Sequence, residues 1–346
     1  MKKRKLNIAV SGLNAIDSPG PGVPVIRALL EAKSFDCNII GLSYESLEPG
    51  IYMHDLVKKT YQIPYPAAGQ EPMMSRLAYI HEKEHLDVII PNFDAELFTF
   101  IKLEQRLKTM GIHMFLPTLH QFEERHKVNL NDFGEKYKIR VPVSKAIYDV
   151  SNLQNTHFDY PVIVKGKFYD AMIAYNPDQI RSHFHKISAK WGLPVILQEF
   201  IHGTEYNVTG LGDGKGKMLA AVPMRKQYIT DKGKAWGGIS ITDENMLSLT
   251  RRFISKTKWR GGFELELMKD KNGELYLLEI NPRMPAWIYF AVAVGQNIPE
   301  GVVNLALGNE PEPFKKYIAG KMFIRYSWDM IVNREEFEAI SMMGEL

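Results

Sequence analysis

The chain has 346 residues, 45% of them hydrophobic and 24% charged, which is the composition of a folded globular protein with room for two or three subdomains. Its formal net charge of +3 is too small to indicate a nucleic-acid-binding surface, and no window approaches the roughly 18 consecutive apolar residues of a membrane span. Cys37 is the only cysteine, so no disulfide can form within the chain and a cytoplasmic location is the simplest prediction.

Residues 1–116 alternate short apolar runs with stretches of helical spacing. The predicted strands cover residues 6–10, 37–42, 86–91 and 113–116, and the predicted helices cover 23–32 and 96–109. This alternation predicts a Rossmann-like N-terminal domain. The loop after the first strand contains Gly12, Gly20 and Gly22, but these lack the G-x-G-x-x-G spacing, which argues against a nicotinamide-dependent oxidoreductase.

The pattern changes after this domain. Residues 117–197 are predicted to contain two helices, then antiparallel strands, and a further helix over 177–190. Hairpin strands dominate the first part of residues 198–346, where two strands are joined by the turn Asp270-Lys271-Asn272-Gly273. The second half of the chain is therefore predicted to be α+β.

The last of these strands ends in the sequence LLEINPR, in which polar side chains occupy alternate positions. Because side chains alternate along a strand, Glu279, Asn281 and Arg283 share one face if the strand continues to residue 283. The same alternation predicts that Leu278 and Ile280 point into the core.

The partner strand of this hairpin carries Glu264 and Glu266 on one face, and pairing across the turn brings Glu266 near Glu279. Two neighbouring carboxylates repel each other unless a cation lies between them, and Mg²⁺ prefers oxygen ligands. Glu266, Glu279 and Asn281 are therefore candidate ligands for Mg²⁺, with Mn²⁺ as an alternative. Cross-strand salt bridging or turn capping is the other interpretation of these residues taken alone.

Seven segments between residue 6 and about residue 308 together resemble the ATP-grasp superfamily, most closely its carbamoyl-phosphate-synthetase-like branch. In chain order they are LDVIIPNFDAEL, the helix bearing Lys127, RVPVSK, YPVIVK with Lys165, QEFIHGTEYNV, PMRKQ and the acidic hairpin that ends in NPR. The resemblance implies a Rossmann-like domain over residues 1–116, linker helices and a small antiparallel lid over 117–197, and a C-terminal ATP-grasp subdomain over 198–346 with the metal and nucleotide sites.

The resemblance also implies roles for individual residues around the nucleotide. Lys127 and Lys165 would hold the phosphates, since a lysine is a compact cation on a flexible stem. Arg225 would face the transferred phosphoryl group, with Lys226 on the other face of its strand as second choice. Arg283 would stabilise the transferring group and the tetrahedral intermediate.

The segment QEFI resembles the linker that holds adenine in this family. The backbone of Glu199, Phe200 and Ile201 would pair with the purine edge, with Phe200 or Ile201 packing near the ring. Glu205 would accept hydrogen bonds from the ribose hydroxyls. For Phe200 and Ile201, packing in the core is an alternative that is compatible with this role.

Two segments depart from the family pattern. After Lys165 the chain has only Gly166 instead of a glycine- and serine-rich turn, so closure over the phosphates would depend on Lys167 or on the backbone further along. The loop KAWGGIS at 234–240 lacks the histidine and aspartate of carbamoyl-phosphate relatives, which argues against bicarbonate chemistry.

The function implied by the resemblance is ATP-dependent ligation of a carboxylate to an amine through an acyl phosphate, with release of ADP and phosphate. The expected partners are small-molecule or peptide carboxylates and amines, ATP and Mg²⁺, and a homodimer is possible. Two alternatives on the same fold are a small-molecule kinase and a nucleotide-binding regulator without turnover.

Overall fold

The computed structural model describes residues 3–15, 19–151, 158–167, 170–230, 233–327 and 329–346. These residues form three β-sheets surrounded by helices. Among the described residues, no helix is both long enough and apolar enough to cross a membrane.

The N-terminal sheet is parallel, with the strand order β3-β2-β1-β4. Its strands and the helices around them are β1 (Arg4–Val10), α1 (Gly22–Leu30), β2 (Phe35–Ser43), β3 (Lys59–Gln62), α2 (Gln70–Glu84), β4 (Val88–Ile90) and α3 (Asp94–Thr109). The predicted Rossmann-like arrangement is confirmed. The predicted strand over 113–116 is wrong, because this segment makes only a single bridge from His113 to Val88.

The second sheet is antiparallel, with the strand order β5-β8-β6-β7. It follows two short helices, and one longer helix packs against it. The elements are α4 (Leu119–Glu124), α5 (Leu130–Tyr137), β5 (Ser144–Ile147), β6 (Val162–Lys165), β7 (Ala171–Ala174), α6 (Pro177–Trp191) and β8 (Val195–Glu199). Alternate side chains of β6, including Val162 and Val164, pack with α6 in a small separate core, which makes this sheet a compact unit.

The third sheet has six strands in the order β13-β12-β9-β10-β11-β14. Its elements are β9 (Gly203–Asp213), β10 (Met218–Ile229), β11 (Ala235–Ser240), α7 (Glu244–Thr257), β12 (Arg260–Asp270), β13 (Leu275–Asn281), α8 (Tyr289–Ala293), α9 (Ile298–Ala306), β14 (Met322–Ile324) and α10 (Arg334–Met343). One face packs on α5 and α7. The other packs, through residues such as Val222 and Met224, on the N-terminal domain and on α8 and α9.

The C-terminal segment returns to the first sheet. The backbone of Leu346 exchanges two hydrogen bonds with that of Thr60, and Gln62 donates from its backbone N–H to Gly344. The first and third sheets are therefore joined both by a shared core and by this segment, which fixes the N-terminal domain against the face of the third sheet.

Candidate active site

Polar side chains converge on one face of the third sheet, where β9, β12 and β13 lie side by side. Glu266 lies directly opposite Glu279, and Glu264 lies opposite Asn281. On the other side of β12, Asn207 pairs with Glu266. Directly opposed residues of antiparallel strands share a face, so the predicted proximity of Glu266 and Glu279 is present in the structure.

One prediction about this hairpin is wrong. The register shifts between Glu266 and Leu267, so that Leu267 pairs with Leu277 and not with Leu278. The extra residue is a β-bulge, and it moves Leu278 to a partly exposed position while Leu277 and Ile280 enter the core. Strict alternation cannot reveal such an insertion.

Glu264 is the most enclosed of the carboxylates and accepts three hydrogen bonds. The donors are Asn207 Nδ2 at 2.7 Å, Trp287 Nε1 at 2.7 Å and Asn281 Nδ2 at 3.1 Å. Burial and the neighbouring Glu266 raise the pKa of Glu264. The sequence placed it on the same face as Glu266 without giving it a role, and its contacts show that it orients the amides of this cluster.

Glu266 and Glu279 differ in their electrostatic surroundings. Burial raises the pKa of Glu266, but Lys226, Lys127 and Lys165 outweigh burial and lower it below the ordinary value. Burial dominates for Glu279 and raises its pKa, although Lys127 acts in the opposite direction. Lys127 Nζ lies 3.1 Å from Glu279 Oε2, so the structure compensates this carboxylate with a side chain from another element.

Three lysines from different elements, Lys127, Lys165 and Lys226, surround the carboxylates. Lys127 begins a single 3₁₀ turn between α4 and α5, and Lys165 is the last residue of β6. Burial lowers the pKa of Lys165, opposed in part by Glu279. Because Lys165 belongs to the second sheet and Glu279 to the third, the cluster bridges these two sheets.

Lys226 occupies the place that the sequence analysis gave to Arg225, and this is a correction. Lys226 Nζ lies 2.9 Å from Glu205 Oε2, and the lysine side chain is only 8% exposed. Its pKa is raised because Glu266 and Glu205 outweigh the effect of burial. Arg225 is exposed and pairs with Tyr206 across β9, on the sheet face opposite to the carboxylates. Because the face of a strand residue depends on register, the sequence alone could not choose between these neighbours.

Arg283 is held by the N-terminal domain. Its Nε donates to Asp94 Oδ2 at 2.8 Å, and Arg125 Nη2 lies 3.3 Å from Asp94 Oδ1. Burial raises the pKa of Asp94, but the two arginines outweigh burial and lower it. Sequence reasoning missed Asp94 as a site residue, although it lies within the quoted segment LDVIIPNFDAEL.

The predicted adenine linker follows β8 directly. The backbone N–H of Glu199 donates to Val143 O at 2.8 Å, and Glu199 Oε2 accepts from the N–H of Val143. The N–H of Glu199 is therefore engaged, so a donor to a purine would have to come from Phe200 or Ile201. Phe200 is partly exposed and its ring packs edge-on against His202 at 4.7 Å.

The donor set around Glu279 suits a hard divalent cation. Glu266 and Glu279 offer carboxylate oxygens, the ligands that Mg²⁺ and Mn²⁺ prefer. Asn281 directs its amide nitrogen toward Glu264 and Glu266, at 3.1 and 3.2 Å, and a rotation of this amide would present its oxygen instead. Among the described residues, no three His, Cys, Asp or Glu side chains form a metal-holding group.

Residues 193–325 match the family model described as "ATP-grasp in the biosynthetic pathway with Ter operon". This part of the chain is therefore similar to an ATP-grasp domain. Carbamoyl phosphate synthase large chain of Campylobacter jejuni is 24% identical over 345 residues, which cover 91% of this chain and 30% of that protein. Another carbamoyl phosphate synthase large chain, from Clostridium beijerinckii, is matched over 23% of its length, so this chain spans less than a third of these relatives.

Solved structures agree on the fold over most of the chain. The biotin carboxylase domain of Hydrogenobacter thermophilus 2-oxoglutarate carboxylase, solved with MgADP and bicarbonate, has a TM-score of 0.70 at 16% identity, covering 92% of this chain and 73% of that chain. L-amino acid ligase from Bacillus licheniformis has a TM-score of 0.65 at 16% identity, and the match covers 89% of this chain and 75% of that chain. The expected architecture, a Rossmann-like domain followed by an ATP-grasp fold, is confirmed.

Proposed function

We propose that this ATP-grasp protein is a carboxylate–amine ligase that binds MgATP between its second and third sheets. The observation that carries the proposal is the convergence of Lys127, Lys165 and Lys226 on buried carboxylates at the boundary of these sheets. A polyphosphate needs several cations and a metal site close together, and the three lysines together with Glu266 and Glu279 would supply both at this boundary.

The nucleotide would lie with its base at the end of β8 and its phosphates over the lysines. Ile201 or Phe200 would supply a backbone N–H to the purine, and Glu205, which is partly exposed, would accept from the ribose hydroxyls. Lys127 and Lys165 would hold the phosphates, and Lys226 would face the transferred phosphoryl group in place of Arg225.

Glu266 and Glu279, with the oxygen of Asn281, would hold Mg²⁺ or Mn²⁺. When bound, the metal supplies positive charge that neutralises the phosphate oxygens. Lys127 Nζ lies 3.1 Å from Glu279 Oε2, so this lysine is close enough to the proposed metal site to contact the same phosphates.

The reaction would proceed in two displacements. A carboxylate oxygen of the first substrate attacks the γ-phosphorus, the bond to the β–γ bridging oxygen breaks, and ADP leaves. The amine nitrogen of the second substrate then attacks the acyl carbon, loses one proton and expels phosphate. Lys226 and Arg283 would stabilise the charge that develops on the phosphoryl and carbonyl oxygens, while the second sheet excludes water from the acyl phosphate.

Names of relatives support ligation but do not identify substrates. The L-amino acid ligase shares this fold, and carbamoyl phosphate synthase is similar in sequence along nearly the whole chain. The loop at 234–240 offers Trp236 and glycines, which supports an acceptor other than bicarbonate.

The proposal is tested first by calorimetric titration of the protein with MgATP, with Glu279→Ala as the control. Binding is expected for the wild type and a loss of at least tenfold for the variant. Pools of carboxylic acids are then incubated with MgATP and hydroxylamine. Hydroxamate together with ADP signals an acyl phosphate, whereas a stable phosphorylated product would replace the proposal by kinase activity. Absence of nucleotide binding by the wild type would refute the proposal altogether.

A further inference from the structure

A group of aromatic side chains lies at the carboxyl ends of β2 and β4 in the N-terminal domain. The rings of Tyr44 and Tyr65 are stacked with centroids 5.5 Å apart, and Phe93 lies 5.9 Å from Tyr44. Tyr65 is 53% exposed. In open parallel sheets, ligands bind beside the carboxyl ends of the strands, where the strand order reverses. Here the order reverses at β1, between β2 and β4, so these rings lie at the expected position for a ligand.

The same rings are surrounded by carboxylates. Tyr65 donates from its hydroxyl to Glu45 Oε1 at 2.8 Å, and Tyr44 donates from its hydroxyl to Glu96. Glu48 Oε1 accepts from the backbone N–H groups of Tyr44 and Glu45, at 2.7 and 3.2 Å. We call these six residues the aromatic–acidic surface; its members are Tyr44, Glu45, Glu48, Tyr65, Phe93 and Glu96.

Glu48 has an unsatisfied oxygen. The residue is only 5% exposed, and within the described part of the chain its Oε2 is buried and has no hydrogen-bond partner. Burial, followed by Glu96 and Glu45, raises the pKa of Glu48 to about 7. A buried carboxylate oxygen without a donor is costly, and a cationic donor from outside the chain would satisfy it.

The residues that the structure describes provide no such cation. Among the salt bridges of the described residues, none involves Glu45, Glu48 or Glu96. The next residue after Phe93 is Asp94, which holds Arg283 of the ATP-grasp site. The acidic and aromatic residues are therefore adjacent in the chain to the carboxylate that binds Arg283.

We propose that the aromatic–acidic surface recognises an organic cation carried by one of the two substrates, at a position separate from the reacting groups. Aromatic faces attract ammonium groups electrostatically, and the unpartnered Glu48 oxygen supplies the acceptor. A carboxylate would be repelled here and attracted by Arg283 and Lys127, so this surface and the candidate active site together would orient a substrate that bears both charges. The identification of this ligand as a substrate rests on the proposed function; the cation site itself does not.

Binding is tested without turnover, using 2,2-dimethylpropylammonium and its neutral analogue of the same shape, 2,2-dimethylpropan-1-ol, as probes in ligand-observed NMR. The wild type is expected to bind the cation at least tenfold more tightly than the alcohol. Tyr65→Leu, at an exposed position, and Glu48→Gln are each expected to lower cation affinity at least fivefold. Glu82→Gln, an exposed carboxylate on α2, is the matched control and is expected to leave it unchanged. Equal binding of the two probes by the wild type would overturn the proposal.

The source of the cation is tested by ADP release with substrate pairs that differ only in a terminal ammonium group. Lysine against norleucine tests the carboxylate substrate, and 1,5-diaminopentane against pentylamine tests the amine substrate. For the substrate whose ammonium group binds to the aromatic–acidic surface, Glu48→Gln is expected to lower kcat/KM at least tenfold with the cationic member of the pair. With the neutral member the loss is expected to be less than twofold. An equal loss for both members would contradict substrate recognition. Calorimetric MgATP binding is measured in parallel, because its failure would concern the proposed function and not the cation site.

Discussion

Neighbouring residues on opposite faces of β10 allow a direct test of which cation faces the nucleotide. Lys226→Met removes the buried ammonium group and keeps an apolar side chain, whereas Arg225→Met removes an exposed guanidinium on the other face. One hydrogen bond to a charged group contributes about 1.5–3 kcal/mol, so Lys226→Met is expected to weaken binding of MgATP about 10- to 150-fold. Arg225→Met is expected to change it by less than about threefold, because surface charges contribute little.

The assay is calorimetric titration with Mg²⁺ and a non-hydrolysable ATP analogue, so that the unknown substrates are not needed. Lys226→Arg serves as a charge-retaining control. Urea denaturation of Lys226→Met should also show a loss of about 1–2 kcal/mol, less than for a fully buried pair because Glu205 is 37% exposed and stays hydrated. A larger loss of nucleotide affinity in Arg225→Met than in Lys226→Met would refute the assignment of faces.

Three further predictions concern carboxylates at and beyond the site. Glu279→Gln is expected to weaken MgATP binding at least tenfold but binding of metal-free ATP in EDTA less than threefold; equal losses in calorimetry would argue against a metal ligand. Asp94→Asn is expected to lower the free energy of unfolding by about 2–4 kcal/mol, since Arg283 and Arg125 lose their shared carboxylate; a loss below about 1 kcal/mol in urea denaturation would contradict this. Glu48 has its pKa raised from 4.5 to about 7, so the folded state retains a proton that the unfolded state releases, and stability should fall by about 3 kcal/mol as pH rises from 4.5 to 7. Glu48→Gln should reduce this dependence of the free energy of unfolding on pH. If urea denaturation at several pH values shows the same dependence in the variant, Glu48 is not its cause.

Much of the site was predictable because it follows from local patterns. The alternation of Glu279 and Asn281, and the hairpin that returns Glu266 to their side, depend only on strand periodicity and on a recognisable turn. The strand ends at Asn281, so the alternation did not extend to Arg283. The alternation of apolar runs in the first 116 residues was likewise sufficient for the Rossmann-like domain. The prediction from sequence did not include β3 and α2 of that domain, because β3 is a short polar strand and α2 has a weakly apolar face.

By itself, then, the sequence determined the kinds of residue available for chemistry and the elements that carry them, because propensity and periodicity act over a few neighbouring residues. Only the tertiary structure decided which of Arg225 and Lys226 faces the carboxylates. A single bulge, or a shift of one residue in register, moves the side chains of a strand to the other face of the sheet. The tertiary structure also decided that Asp94 binds Arg283, 189 residues away, because a contact between distant segments depends on how the sheets pack and leaves no periodic signal in the chain.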